Sequence, residues 1–172
     1  MQLFRVRLPL GSVSAAIPVQ PAPSIAGFFL TSVIAGVVGA FGMECTLWLI
    51  CRAGWAKGNM IEAVGSLITR SRHNAFQAGA ILHGISAVAF AMVYYLAMLY
   101  LGLATFPRAF SVGIGFGVIH GVIVSLMLVW VVAEQHPLEE FKSAGFAVGI
   151  SHFAGHIVYG GLVGLVIAIA RS

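Results

Sequence analysis

The sequence predicts an all-α integral membrane protein: a four-helix transmembrane bundle with a short interfacial amphipathic helix between the first two spans. Composition carries the first part of that prediction. Of 172 residues, 60% are hydrophobic and only 8% are charged, and the mean hydropathy is +1.01. Soluble domains carry about 25% charged residues, so this chain lacks the groups to cover a water-facing surface. Segment length carries the second part. Four apolar runs, 25–51, 76–101, 109–133 and 144–170, are 25 to 27 residues long, and a bilayer core needs roughly 20 helical residues. None shows the period-two alternation of a barrel strand, and a span must satisfy its backbone internally, so each is a helix.

Residues 1–24 form a Pro-rich tail, in which Pro9, Pro18, Pro21 and Pro23 interrupt any helix. Arg5 and Arg7 look like the start of a signal peptide, but no uninterrupted apolar core or clear cleavage site follows. Residues 25–172 form one bundle, whose first span is 25–51. Cys45 and Cys51 lie on that helix, and six residues of rise separate them by roughly 9 Å, too far for a disulfide. Next come Met60, Ile61, Val64, Leu67 and Ile68, an apolar stripe of helical period that predicts an interfacial helix over 60–70. Asn59 takes the N-cap position with Glu62 three residues on. Trp55 and Lys57 read as interfacial anchors.

The second span, 76–101, ends near Tyr94, Tyr95 and Tyr100, which read as an aromatic belt at the membrane interface. A short link containing Pro107 leads to the third span, 109–133, and predicts that these two helices are antiparallel neighbours. The fourth span is 144–170.

The net charge of +4 comes from residues at segment ends, a pattern of membrane anchoring rather than a nucleic-acid patch. Arg52, Lys57, Arg70, Arg72 and Lys142 flank one side, while Arg108 and Arg171 lie at helix ends on the other. Cationic loops stay inside. The charge pattern therefore places loops 52–75 and 134–143 in the cytoplasm and both termini outside.

Five ionisable side chains interrupt the spans: Glu44, His83, His120, His152 and His156. Threading the helices back and forth puts all five in the loop-side half of the bilayer, roughly 10 to 20 Å deep at 1.5 Å per residue. Groups so costly in hydrocarbon face the bundle interior, pair with one another and mark function. Each also lies on the small-residue face of its helix, where close approach is possible. His152 and His156 continue the line of Gly145, Gly149, Gly160 and Gly164. His120 follows Gly113 and Gly117, His83 follows Gly79, and Glu44 follows Gly36 and Ala40. The expectation is that the five converge. A weak internal repeat supports the pairing of helices: Phe41-Gly42-Met43-Glu44 resembles Phe116-Gly117-Val118-Ile119-His120 with one residue inserted.

Inward Glu and His on facing helices are the recurrent metal donors of helical bundles. The leading functional expectation is therefore an intramembrane transition metal, Fe, Zn, Cu or Mn, bound by these five residues for metal handling or redox chemistry. Ser86 and Ser151 are expected as outer hydrogen-bond partners. Glu134 and His136, with His73, Glu139 and Glu140, stand at the loop-side mouth and are candidates for guiding a cation inward. The alternative from the same residues is haem b held by two histidines in a quinone-reactive electron-transfer subunit. A further alternative is a proton relay or a structural subunit without cofactor. The lipid bilayer is the expected partner, together with other membrane subunits or a second copy, and nucleic acid is not. No residue is assigned a catalytic role.

Overall fold

The computed structural model describes residues 21–56, 59–142 and 145–172. The expectations for the first 20 residues of the tail, for Lys57 and for the start of the last span at 144 fall outside them. The described residues contain helices and no strands. Helix α1 is Ile25–Arg52, α2 is Met60–Thr69 and α3 is Ala75–Tyr100. Helix α4, Arg108–Met127, runs through a π-helical turn at Leu128–Val132 into α5, Ala133–Gln135, as one apolar rod. A single turn, α6 (Glu139–Lys142), precedes α7, Phe146–Ala170. The α1, α3, α4–α5 and α7 rods are each long and apolar enough to cross a membrane. Their outward faces are apolar as well. Phe41, Ile81, Ile119 and Trp130 are all exposed, which suits lipid and not water.

Local chemistry sets the helix starts. Ser24 Oγ accepts from Gly27 N at 3.0 Å and caps α1. Asn59 Oδ1 accepts from Glu62 N at 3.2 Å, and its amide donates to the Glu62 carboxylate at 3.1 Å, a reciprocal cap for α2. The turn from α2 to α3 uses two left-handed residues, Arg70 and Asn74, and asparagine tolerates that region through local hydrogen bonding. Cys45 and Cys51 are in no disulfide.

Helix α7 is the centre of the bundle. It packs most extensively on α4, then on α1, while α3 packs on α1 and α2. Glycines make these approaches. A Cβ on Gly113 would meet the carbonyl of Gly160, and one on Gly160 would meet that of Gly113, so α4 and α7 lie backbone to backbone. Gly36 lets α1 lie against Ala87 and Val88 of α3, and Gly39 accommodates the Tyr159 ring of α7.

Two expectations need correction. The short Pro107 link does not make α3 and α4 close neighbours, because these helices touch only sparingly. The reason is steric: the α4 glycine stripe is already filled by α7, and aromatic rings hold α3 off. Tyr94 meets Phe116 at 5.1 Å between centroids, and Phe90 meets His120 at 4.0 Å. Gly79 does not belong to the central face either. A Cβ there would strike Ile61 of α2, as one on Gly65 would strike Ala75 of α3. Helix α2 is thus docked on the start of α3, with Gly65 and Ser66 buried.

Candidate functional site: a histidine-lined cavity within the bundle

The gap left between α3 and the α4–α7 pair is a partly open cavity of about 210 Å³. Its walls include His83, His120, His152 and His156. Four of the five residues singled out by the sequence therefore share one space, contributed by three helices. Met43 of α1 and Met60 and Val64 of α2 complete the wall on one side, with Ser86 and Phe90 of α3 and Tyr159 of α7.

Helix α7 fixes the two histidines it contributes. His152 Nδ1 lies 2.7 Å from Val148 O, and His156 Nδ1 lies 2.8 Å from His152 O. A carbonyl can only accept, so each contact assigns the ring proton to Nδ1 and leaves Nε2 with its lone pair. His152 Nε2 is buried with no hydrogen-bond partner. His120 of α4 lies beside the α7 histidines, its ring 4.5 Å from that of His156, and Tyr94 OH lies 3.2 Å from His120 Nδ1. Tyr159 donates to Ala87 O at 2.5 Å. That bond ties α7 to α3 at the inner end of the cavity.

Glu44 behaves differently from the expectation. It does not line the cavity. Its Oε1 stands 3.4 Å from His83 Nε2, close enough for charge to be felt but not aligned as a hydrogen bond, so both atoms lack a hydrogen-bond partner. Glu44 is thus placed behind His83 rather than beside the other imidazoles. Among the described residues, no three His, Cys, Asp or Glu side chains gather in a geometry that could hold a metal ion. The expected meeting at one point is instead a meeting around one cavity. The aromatic spacers between α3 and α4 keep its walls apart.

The outer residues sort themselves. Ser86 lines the cavity. Ser151 donates to Ala147 O at 2.7 Å, one turn back on its own helix. His136 does not guide cations: it is 1% exposed and tied at both ring nitrogens. Its Nδ1 accepts from Leu138 N at 3.1 Å, so Nε2–H donates to Ala63 O at 3.0 Å, with Ser66 Oγ at 3.4 Å. It anchors α2. Arg72 pairs with Glu140 and lies 3.9 Å from Glu62, and Lys142 meets Glu139 at 2.6 Å. These acids are therefore engaged in ion pairs, while His73 and Glu134 are exposed.

Tyr94 and Tyr95 are not a belt. They are 5% and 1% exposed, and Tyr95 stacks on Phe28. Only Tyr100 is strongly exposed. Tyr159 went unnoticed in the sequence, and Met60 and Met43 were read only as parts of the α2 stripe and of the internal repeat. Tyr159 is seven residues from His152, two helical turns along the same face, and that spacing was a readable signal. Met43 immediately precedes Glu44, and nothing in the sequence marks it as a cavity residue. Comparison with known protein families, with curated proteins and with solved structures finds no match to this chain.

Proposed function

We propose that the protein binds a transition-metal ion within the membrane, in the histidine-lined cavity. The observation that carries the reading is the state of the α7 imidazoles. Both commit Nδ1–H to backbone carbonyls and keep Nε2 free. Metal-binding histidines show this arrangement, because the second nitrogen fixes the tautomer and the ring orientation. His120 of α4 adds an imidazole beside them, and His83 of α3 adds one from the opposite wall. Glu44, 3.4 Å from His83 Nε2, compensates charge from behind that imidazole. Because the donors are spread around a cavity, binding draws α3 toward α4 and α7, and the ion stabilises the bundle.

Haem b has less support. About 210 Å³ is below the roughly 300 Å³ at which pockets for small organic ligands begin. A transmembrane proton relay also has less support. Beyond Tyr94 the described core turns apolar, with Met98, Val163 and Ile167 fully buried, and Ser32 bonded to Phe28 O of its own helix. Metal storage or delivery fits a cavity closed at its inner end better than conduction does.

Orientation follows the charge pattern: the α1–α3 and α5–α7 connections face the cytoplasm. A cysteine replacing Ser71 in a cysteine-free variant should be protected from an impermeant thiol reagent in intact cells. Labelling there would reverse the assignment.

The test of the site is metal content of the purified protein by mass spectrometry. Wild type and Tyr100→Phe should carry stoichiometric metal, and His152→Ala, His156→Ala and Glu44→Gln should carry less. Glu44→Gln keeps the shape and removes only the charge. A wild-type protein that neither carries metal nor gains thermal stability from added Zn(II), Fe(II), Mn(II) or Cu(I) would overturn the reading.

A further inference from the structure

We infer that the ion for which this cavity is built is monovalent copper, with the thioethers of Met43 and Met60 among its ligands. The inference rests on the metal reading of the site and goes further by choosing the ion.

Donor type is the first argument. The cavity wall presents imidazoles and two thioethers, and no carboxylate. Ions that demand hard oxygen donors, such as Mn(II) or Mg(II), find none there. A thioether is a poor acceptor for hydrogen bonds and for hard cations, and it selects Cu(I). Imidazole accepts copper as readily as zinc. The two methionines come from two different helices. Met43, on α1, is 3% exposed and packs across Gly155, the residue before His156. Met60 opens α2, the helix docked over the start of α3. Methionine is also a common filler of irregular gaps. Filling a gap requires no sulfur, and the experiment below turns on that difference.

Charge is the second argument. The cost of placing an ion in low dielectric grows with the square of its charge, so a divalent ion pays far more than a monovalent one. The wall donors are neutral. The carboxylate that stands next to a wall imidazole is Glu44, 3.4 Å from His83. One Cu(I) with one Glu44 carboxylate and neutral imidazoles sums to zero charge. A divalent ion leaves one positive charge uncompensated in the membrane.

Coordination number is the third argument. Groups of three or more His, Cys, Asp or Glu side chains that could hold an ion are absent among the described residues. Zinc sites require close to tetrahedral closure by protein ligands. A closed-shell monovalent ion is satisfied by fewer donors, and the facing pair His120 and His156, 4.5 Å apart between ring centres, with one thioether, supplies enough. The same spread of donors that argues against a preformed four-ligand site suits an ion of low coordination number.

The test is an anaerobic titration of the full-length protein in detergent micelles, with Cu(I) competed against a chromophoric Cu(I) chelator and Zn(II) against a zinc indicator. Wild type should bind stoichiometric Cu(I) more tightly than Zn(II). Met43→Leu and Met60→Leu keep side-chain volume and remove only the sulfur. Each should weaken Cu(I) binding by about 10- to 100-fold, the usual effect of losing one group from a metal site, and leave Zn(II) binding unchanged. His156→Ala should weaken both ions. Copper-edge X-ray absorption should show a sulfur shell in wild type that shrinks in either methionine variant. Preference for Zn(II) or Fe(II), or Cu(I) affinity insensitive to both methionine variants with no sulfur shell, overturns the copper assignment and leaves the metal site standing. Binding of no ion at all removes the site itself, so the two failures are distinct.

Discussion

Gly117→Ala is the substitution whose consequence can be worked most directly from the geometry. A Cβ at Gly117 would press on the carbonyl oxygen of His156, and would lie 3.0 Å from Ile157 Cα and 3.2 Å from the His156 carbonyl carbon. All three are backbone atoms of α7, so no side chain can rotate aside. Helix α4 must back away by several tenths of an ångström or more. Overpacking of this kind costs about 1–3 kcal/mol. Alanine regains up to about 1 kcal/mol of helix propensity over glycine. Gly115, two residues earlier on the same helix, is the matched control, since a Cβ there meets nothing within 4 Å. It gains the propensity without the clash. The two variants should therefore differ by about 2 kcal/mol in unfolding free energy, roughly 30-fold in the folding equilibrium. The assay is reversible unfolding in mixed micelles by denaturing detergent, followed by helical circular dichroism. Because His120 is one turn beyond Gly117, its spacing from His156 should widen as well, and Gly117→Ala should also lose metal that Gly115→Ala retains. Equal stability and equal metal content in the two variants would refute the claim that glycine contact between α4 and α7 sets the cavity.

Two more outcomes follow from named contacts. His136→Ala removes the bond from Nε2 to Ala63 O and orphans Leu138 N, a loss of about 1–3 kcal/mol for buried groups left unpaired. Hydrogen exchange of the amides in residues 60–69 should accelerate by a corresponding factor while those of α7 do not, and unchanged protection of α2 would show that His136 is no anchor. Metal affinity should fall as pH is lowered, because imidazole must be deprotonated to ligate and protons compete for the same lone pair. The loss has this sign for any imidazole site. Competition titrations across a pH series check it, and affinity independent of pH would exclude histidine ligands.

The spans were legible because membrane helices announce themselves by length and composition, and because caps are local: Ser24 and Asn59 act within three residues of their own position. The polar face of each helix was legible too, since glycine spacing and ionisable residues fall in register. What could not be read is which helix each face meets. Gly79 stands one helical turn before His83, as Gly117 stands one turn before His120, yet it serves α2. Adjacency depends on how all the faces compete, and α7, with glycine on more than one side, takes both α4 and α1. The aromatic spacing of α3 from α4 was equally hidden. Tyr94 and Tyr95 sit where an interface belt is expected by depth, and only their contacts with Phe116 and Phe28 show them to be core. Glu44 meets one of the expected imidazoles, His83, but not the cavity, since depth along a helix says nothing about which neighbour a rotamer selects.

The histidines of this chain also separate two uses of one side chain by their nitrogens. An imidazole buried for packing must close both nitrogens, because an unpaired polar atom in a dry interior is costly. His136 does this, with backbone at each end of its ring. A ligand must close one and keep the other. His152 and His156 close Nδ1 on the preceding turn of α7, and in His152 the remaining nitrogen is buried and unpaired. The same shortfall recurs at His83 Nε2 and Glu44 Oε1, immediately behind the cavity wall. Hydrogen-bond deficits scattered through a bundle would indicate poor packing. Among the described residues, three of the four such atoms lie in the wall of one cavity or directly behind it, the fourth being Arg171 Nε at the far end of α7, while Ser32, Ser66 and Ser151 find partners. A bound cation would supply the cavity atoms with what no donor or acceptor of the chain supplies, and the proposed metal site predicts that these deficits close when the ion is added.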